Sequence, residues 1–230
     1  MRHILLGLLL LPVLAFASEA EITVKAPVDL GDQASLQRGA RTFVNYCLNC
    51  HSANYMRYNR LQDIGLSEKQ IKDNLLFATE KVGDTMQVAI DPIDAKKWFG
   101  ATPPDLSVEV RARGADWLYA YLRGFYKDDT RPTGWNNTVY DKVAMPHVLY
   151  ELQGVQVLNH ETHALELVKP GKLSPTEYDE MVGDLTNFMA FMAEPAKQSR
   201  QIIGIFVLLF LGVMLVLAKK IKAEYWKDIK

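Results

Sequence analysis

The sequence predicts a mainly α-helical protein with one C-terminal membrane helix. Three observations carry that fold class. Apolar residues recur at three- and four-residue spacing in several short segments, two segments open with a complete helix-capping sequence, and seventeen consecutive residues near the C-terminus carry no charge. The chain has 230 residues, 49% hydrophobic and 23% charged, enough for one sizeable domain with a real core. Its net charge of −1 argues against nucleic acid as a partner, which would need a basic face. Only two cysteines occur, Cys47 and Cys50, so a multi-disulfide scaffold is excluded.

Met1 to Ala17 reads as a secretory signal peptide. Arg2 and His3 precede a short apolar region, and Ala15-Phe16-Ala17 offers small residues for cleavage before Ser18. An uncleaved membrane helix is the competing reading, which Pro12 and the small-residue ending disfavour. An extended start over Glu21 to Leu30 follows. Leu36, Ala40, Phe43, Val44 and Cys47 then mark a helix that delivers Cys47 to its C-terminal end. Ser67-Glu68-Lys69-Gln70 is a capping box opening a second helix through Ile71, Leu75 and Leu76. Ala115 to Leu122 forms a third helix, stopped by Gly124. Ser174-Pro175-Thr176-Glu177 starts a fourth, lined by Met181, Leu185, Phe188 and Met192 and ended by Pro195. Between these lie two long irregular stretches, Val82 to Asp105 and Lys127 to Pro146, of a length that usually serves function, here the wrapping of a large prosthetic group. Val148 to Val157 and His163 to Val168 alternate as one small hairpin.

Ile202 to Ala218 is the uncharged run, about 26 Å long at about 1.5 Å per residue, enough for a membrane span. Five lysines follow it, so the tail belongs on the cytoplasmic side. The expected organisation is a signal peptide (1–17), an exported domain (18–199), an anchor helix (200–218) and a basic tail (219–230). Residues 18–199 hold 19 Lys+Arg and 25 Asp+Glu, a formal −6, against +3 for the tail. An acidic exported surface would steer a basic partner; ordinary solubility is the plainer explanation.

Cys47-Leu48-Asn49-Cys50-His51 is the C-x-x-C-H pattern of c-type haem attachment. Two thiols take the two vinyl groups of one porphyrin edge, and the adjacent His offers its imidazole to the iron. A dithiol redox motif would need a strand before it, and a zinc site would need a second cysteine pair. The second axial ligand decides between a relay and an open, reactive iron. The candidates are Met56, Met86, Met145, Met181, Met189, Met192, His147, His160 and His163. Met145 leads because Pro146 holds it out of a helix on an irregular stretch; His147 comes next, and the helically spaced methionines read as core. Pro103-Pro104-Asp105-Leu106-Ser107, followed by Arg111-Ala112-Arg113, joins a stiff turn to two guanidinium groups, one of which can face a haem propionate. Trp98, Trp117, Tyr121, Phe125, Tyr126 and Trp135 are candidates for a pocket wall.

Taken together, the CLNCH site, the PPDLS run with its RAR, the Met145-Pro146 pair and the Ala193-Glu194-Pro195 turn resemble the cytochrome c1 family, of bacterial type. These are the haem subunits of ubiquinol:cytochrome c oxidoreductase (cytochrome bc1) complexes. The resemblance covers nearly all of the mature chain. It implies a cytochrome c-like helical domain with long loop insertions and one covalently attached haem c. His51 and Met145 would be its iron ligands, and Arg113 and Pro104 cofactor contacts. It implies electron transfer without catalysis by the chain alone, from a Rieske iron–sulfur subunit to a c-type cytochrome. The setting would be a dimeric complex with cytochrome b in the bacterial inner membrane, the haem domain in the periplasm and the C-terminus in the cytoplasm. Departures from mitochondrial relatives are His147 two residues past Met145, a short Gly114–Trp117 loop, Trp117 in place of tyrosine, and no further cysteine pair. Two alternatives remain at this point: a membrane-anchored mono-haem cytochrome serving another respiratory enzyme, and a haem peroxidase with an open iron.

Overall fold

The computed structural model describes residues 22–88 and 90–228, so the signal-peptide segment Met1 to Ala17 lies outside the described residues. Helix α1 (Gln33–Thr42) starts at Asp32, whose carboxylate accepts the Ser35 amide, and passes into one π-helical turn, Phe43–Cys47. Strand β1 (Ala53–Arg57), a 3₁₀ segment (Tyr58–Ile64), α2 (Glu68–Asn74) and the two-residue strand β2 (Thr85–Met86) follow. Next come α3 (Pro92–Phe99), α4 (Glu109–Arg113), α5 (Ala115–Arg123) and the short strands β3 (Phe125–Lys127) and β4 (Trp135–Asn137). The chain ends with α6 (Tyr150–Gln153), β5 (Gly154–Leu158), β6 (Leu165–Pro170), α7 (Pro175–Ala193) and α8 (Lys197–Tyr225). The fold is mainly α, as the sequence predicts.

Helices α1 and α7 cross at the centre of the core. A Cβ on Gly39 would sit 2.1 Å from the Asp184 carbonyl oxygen and 2.7 Å from the Phe188 Cβ, so only glycine lets the two backbones approach this closely. Phe43 and Phe188, both fully buried, meet beside that crossing at 5.6 Å between ring centres. Arg38 grips the Asp184 carboxylate with two N–H groups, and Asn187 donates to the Asp29 carbonyl and the Ser35 hydroxyl. The N-terminal segment is thereby tied to α7. The parallel clamp on α5 is Arg123, which makes two hydrogen bonds to Asp179, while the buried Tyr178 hydroxyl donates to the Leu122 carbonyl.

Both capping boxes are present, at Ser67 with Gln70 and at Ser174 with Glu177. Helix α2 stops at Asn74 rather than running on through Leu76, because the Leu75 and Leu76 amides both fold back to the Ile71 carbonyl. The two stretches expected to be irregular contain more order. Within Val82 to Asp105 lies α3, capped by Asp91 with Pro92 at its first turn and closed by Gly100 at φ +80°. Within Lys127 to Pro146, β4 pairs antiparallel with β3, held by Asn136 and Asn137 side chains that bond to Asp128, Asp141 and the Tyr121 carbonyl. The expected hairpin forms as β5–β6, but residues 148–153 leave it for a turn and α6. Among the described residues there are three two-stranded sheets, not one.

Helix α8 is 29 residues long, about 43 Å, with none of its side chains buried. It is long and apolar enough to cross a membrane once. Glu194, at the end of α7, receives Arg200 from α8 and lies 3.8 Å from Arg111 of α4, which braces the junction between domain and anchor.

Gly39→Ala tests the crossing. The added methyl meets backbone that cannot rotate away, so the loss of stability is about 3 kcal/mol, read from the denaturant midpoint. Gly83→Ala, with nothing within 4 Å of the new Cβ, serves as control. Equal midpoints for both variants would contradict the close approach.

Candidate functional site

The π-helical turn at the end of α1 brings the two cysteines round. The Cys47 carbonyl accepts hydrogen bonds from both the Cys50 amide (3.1 Å) and the His51 amide (2.9 Å), and Asn49 ties back to the Asn45 carbonyl. Five residues are thus wound into one tight turn, and Cys47, Cys50 and His51 line the same cavity. Its volume is about 370 Å³.

The Pro103–Ser107 run is docked on the chain that follows His51. His51 Nδ1 lies 2.7 Å from the Pro104 carbonyl oxygen. A carbonyl only accepts, so Nδ1 carries the proton and Nε2 keeps its lone pair. Around that bond, Asp105 accepts from the amides of Asn54 and Ser107 at 2.8 Å each. The Ser107 hydroxyl accepts from the Tyr55 amide, and the Leu106 amide donates to the Ser52 carbonyl. Partial burial pushes the Asp105 carboxyl upward, but the Ser107 and Asn54 hydrogen bonds outweigh it and hold the group below the usual carboxylate range. Burial lowers His51, against the Pro104 hydrogen bond and the nearby carboxylates of Glu109 and Asp105.

Burial, with a smaller contribution from neighbouring Cys50, pushes the Cys47 thiol up to about 12, and burial raises Cys50 as well. Redox and zinc sites need the opposite, a stabilised thiolate. Among the described residues no group of three or more His, Cys, Asp or Glu side chains could cage a bare metal ion.

All six residues nominated from sequence, Cys47, Cys50, His51, Pro104, Arg113 and Met145, line this one cavity. Arg113 pairs with Glu109 of its own helix and lays its guanidinium over Trp117 at 4.5 Å. Arg111 does not line the cavity. Met145 accepts a hydrogen bond from the Tyr121 hydroxyl, 3.4 Å from its sulfur. The other candidates for a second ligand mostly lie elsewhere. Met56 and Met86 are buried where β1 meets β2, and His160 and His163 sit at the exposed end of the β5–β6 hairpin. His147 is buried against Phe125 and Trp135, outside the cavity lining. Burial drives it down to about 4, so it is a neutral imidazole.

Of the aromatic candidates, Trp117 and Tyr121 line the cavity; Trp98, Phe125, Tyr126 and Trp135 do not, and Trp98 is exposed. Sequence reasoning missed Tyr46, Phe99 and Tyr140, and took Met189 for plain core although it also lines the cavity. Phe99 was findable, through the Asp91-Pro92 start and Gly100 stop of α3; no sequence signal marked Tyr46 or Tyr140. The charged lining residues are Glu109, Arg113 and Lys142, so the acidic excess of residues 18–199 is not concentrated here.

A family model described as the Cytochrome C1 family matches residues 23–229. The chain is 52% identical over 229 residues to the ammonia monooxygenase gamma subunit of Nitrosomonas europaea, covering 99% of this chain and 98% of that protein. It is 49% identical over 243 residues to cytochrome c1 of Allochromatium vinosum, covering both chains in full. Cytochrome c1 of Rhodospirillum rubrum is 28% identical over 239 residues, covering 86% of this chain and 83% of that protein. Among solved structures, a chain of a hyperthermophilic respiratory Complex III matches with TM-score 0.42 and 16% identity, over 85% of this chain and 77% of that one.

Asp105→Ala removes the acceptor for two backbone amides and should cost about 0.5–1.5 kcal/mol at neutral pH, the lower end because the carboxylate is largely solvated. Because the folded carboxyl titrates below the unfolded value of about 3.9, its stabilisation is complete above that pH and lost as pH falls through the depressed value. The gap in denaturant midpoint between parent and variant should therefore close on acidification. A gap that stays unchanged however far the pH falls below the unfolded value would show that the carboxylate is not what holds the turn.

Proposed function

The chain belongs to the cytochrome c1 family, and we propose that it is the haem-carrying electron-transfer subunit of a membrane quinol:cytochrome c oxidoreductase. Membership gives the general electron-transfer role, and α8 gives a single membrane-spanning helix. The observation that carries the finer reading is the convergence of Cys47, Cys50, His51 and Met145 on one cavity, with the His51 ring pinned by the Pro104 carbonyl.

The residues fit a c-type haem. Cys47 and Cys50 would hold it through thioether bonds, each thiol adding across one vinyl group with sulfur on one carbon and the proton on the other, so that no external oxidant or reductant would be needed. His51 offers Nε2 to the iron while Pro104 holds the proton on Nδ1, which fixes both tautomer and ring orientation. Met145 offers its thioether from another part of the lining. Arg113 supplies a cation for a propionate, and Trp117, Tyr121, Leu118 and Leu122 exclude water. When bound, the haem supplies a one-electron iron couple. With His51 and Met145 both holding the iron, no open site would remain for peroxide, which disfavours the peroxidase reading.

The finer partnership follows the same reading: electrons enter from a Rieske-type iron–sulfur subunit, cytochrome b anchors the assembly, and a c-type cytochrome leaves with the electron. The lysines after residue 218 support a cytoplasmic tail, with the cavity on the other side of the membrane. The 52% identity to the Nitrosomonas ammonia monooxygenase gamma subunit supports a second reading, a subunit serving a monooxygenase. Purification of the full chain in mild detergent separates the two. A cytochrome b and an iron–sulfur protein accompany it under the first reading, and a monooxygenase under the second.

Met145→Leu should lower the midpoint potential sharply and abolish the weak near-infrared sulfur-to-iron band, since thioether ligation favours ferrous iron. A variant with the parent's potential and band would remove Met145 from the site. Arg113→Ala, which leaves a partly buried carboxylate without its cation, should cost about 1–3 kcal/mol and disturb the redox titration, whereas Arg111→Ala should not. Identical behaviour of the two variants would contradict the assignment.

A further inference from the structure

Met145 sits in a closed ring of side chains. The Tyr121 hydroxyl lies 3.4 Å from the Met145 sulfur. The Tyr121 ring is edge-on to Phe125 at 5.2 Å, and Phe125 stacks flat on His147 at 4.8 Å with an angle of 3° between the planes. His147 is two residues past Met145, so the covalent chain through Pro146 closes the circle. Each link is braced from outside. Trp117 stacks on Tyr121 at 4.9 Å, and Trp135 meets His147 edge-on at 5.0 Å.

The His147 ring is 3% exposed, and the Gln153 side chain beside it leaves its Nε2 without a well-formed hydrogen bond. A buried polar atom without a partner costs stability, and a purely apolar side chain there would avoid that cost. What the ring contributes is its flat face, packed between Phe125 and Trp135, which fixes the backbone just after Met145. The Tyr121 hydroxyl contributes differently. Donation of its hydrogen engages one sulfur lone pair and weakens the other as a donor, and it selects one orientation of the thioether.

We propose that Tyr121 and His147 are positioning residues for Met145, Tyr121 by donating its hydroxyl hydrogen to the thioether and His147 by clamping the loop behind it, and that together they set the potential of this site. The proposal rests on the reading of Met145 as an iron ligand. A sulfur that donates less favours the ferrous state, so the hydroxyl raises the potential. The clamp acts on occupancy: it keeps the thioether in place against ligands from solution.

The test uses the full chain in detergent, with redox titration, the near-infrared band of the oxidised protein and its titration with imidazole. Tyr121→Phe keeps the ring contacts and removes only the hydroxyl. It should retain the band but lower the potential by about 30–60 mV, a three- to tenfold shift in the ferric/ferrous equilibrium at 59 mV per tenfold. His147→Ala should weaken the band and let imidazole bind roughly three- to tenfold more tightly, because the thioether is in place for a smaller fraction of the time. His147→Phe restores the flat face and should return both readings to the parent's, which a general loss of folding would not allow. If Tyr121→Phe has the parent's potential, or if His147→Ala binds imidazole as the parent does, the proposal is overturned while the ligand assignment stands. A parent without the thioether band overturns the ligand assignment, and the proposal with it.

Discussion

The hydrogen bond from His51 Nδ1 to the Pro104 carbonyl is the contact on which the rest of the site depends. It joins two segments fifty-three positions apart and decides the chemistry of the imidazole, since a proton held at Nδ1 leaves Nε2 as the only donor to a metal. One hydrogen bond cannot hold that geometry alone. The Pro103-Pro104 pair stiffens the acceptor strand, Asp105 fastens it to the Asn54 amide, and Ser107 fastens it to Tyr55. The donor side rests on the π-helical turn, which in turn rests on the approach of α1 to α7 at Gly39. A missing methyl group in the core and a ring orientation at the cavity wall belong to one mechanical chain.

Much of this was legible where local chemistry is complete within a few residues. Ser67 with Gln70 and Ser174 with Glu177 announce helix starts because cap and partner lie three positions apart. The Cys47–His51 motif announces its chemistry because attachment fixes its spacing. Helix α3 was missed although Asp91-Pro92 and Gly100 delimit it, because its exposed Ile93 and Trp98 give no buried stripe to read. The β3–β4 pair was missed because three-residue strands carry no usable alternation, and its order comes from Asn136 and Asn137 reaching Asp128, Asp141 and Tyr121. Gly39 looks like any helical glycine until α7 is laid across it. Tyr121 was named only as one aromatic in six; that its hydroxyl faces Met145 is a long-range fact that no spacing encodes.

The charge pattern also changes meaning once placed in space. The formal −6 of residues 18–199 invites a picture of an acidic docking face, yet the charged side chains of the cavity lining are Glu109, Arg113 and Lys142. Any steering by the acidic excess must act from surfaces outside the lining. Charge is organised more tightly at the junction with the anchor, where Glu194 gathers Arg200 and approaches Arg111. That junction links the first turn of α8 to the short helix carrying Arg113, so the position of the membrane helix and one wall of the cavity are set by neighbouring contacts.

The central claim is that this cavity is built around a group bonded to Cys47 and Cys50, and mass spectrometry of one peptide tests it most directly. Trypsin releases Thr42 to Arg57 intact, because no Lys or Arg lies between Arg41 and Arg57. From the full chain isolated from membranes, that peptide should carry the mass of one haem, and neither cysteine should react with an alkylating reagent under denaturing conditions. Recovery of the peptide at its bare mass, with both cysteines alkylated or joined to each other as a disulfide, would contradict the account.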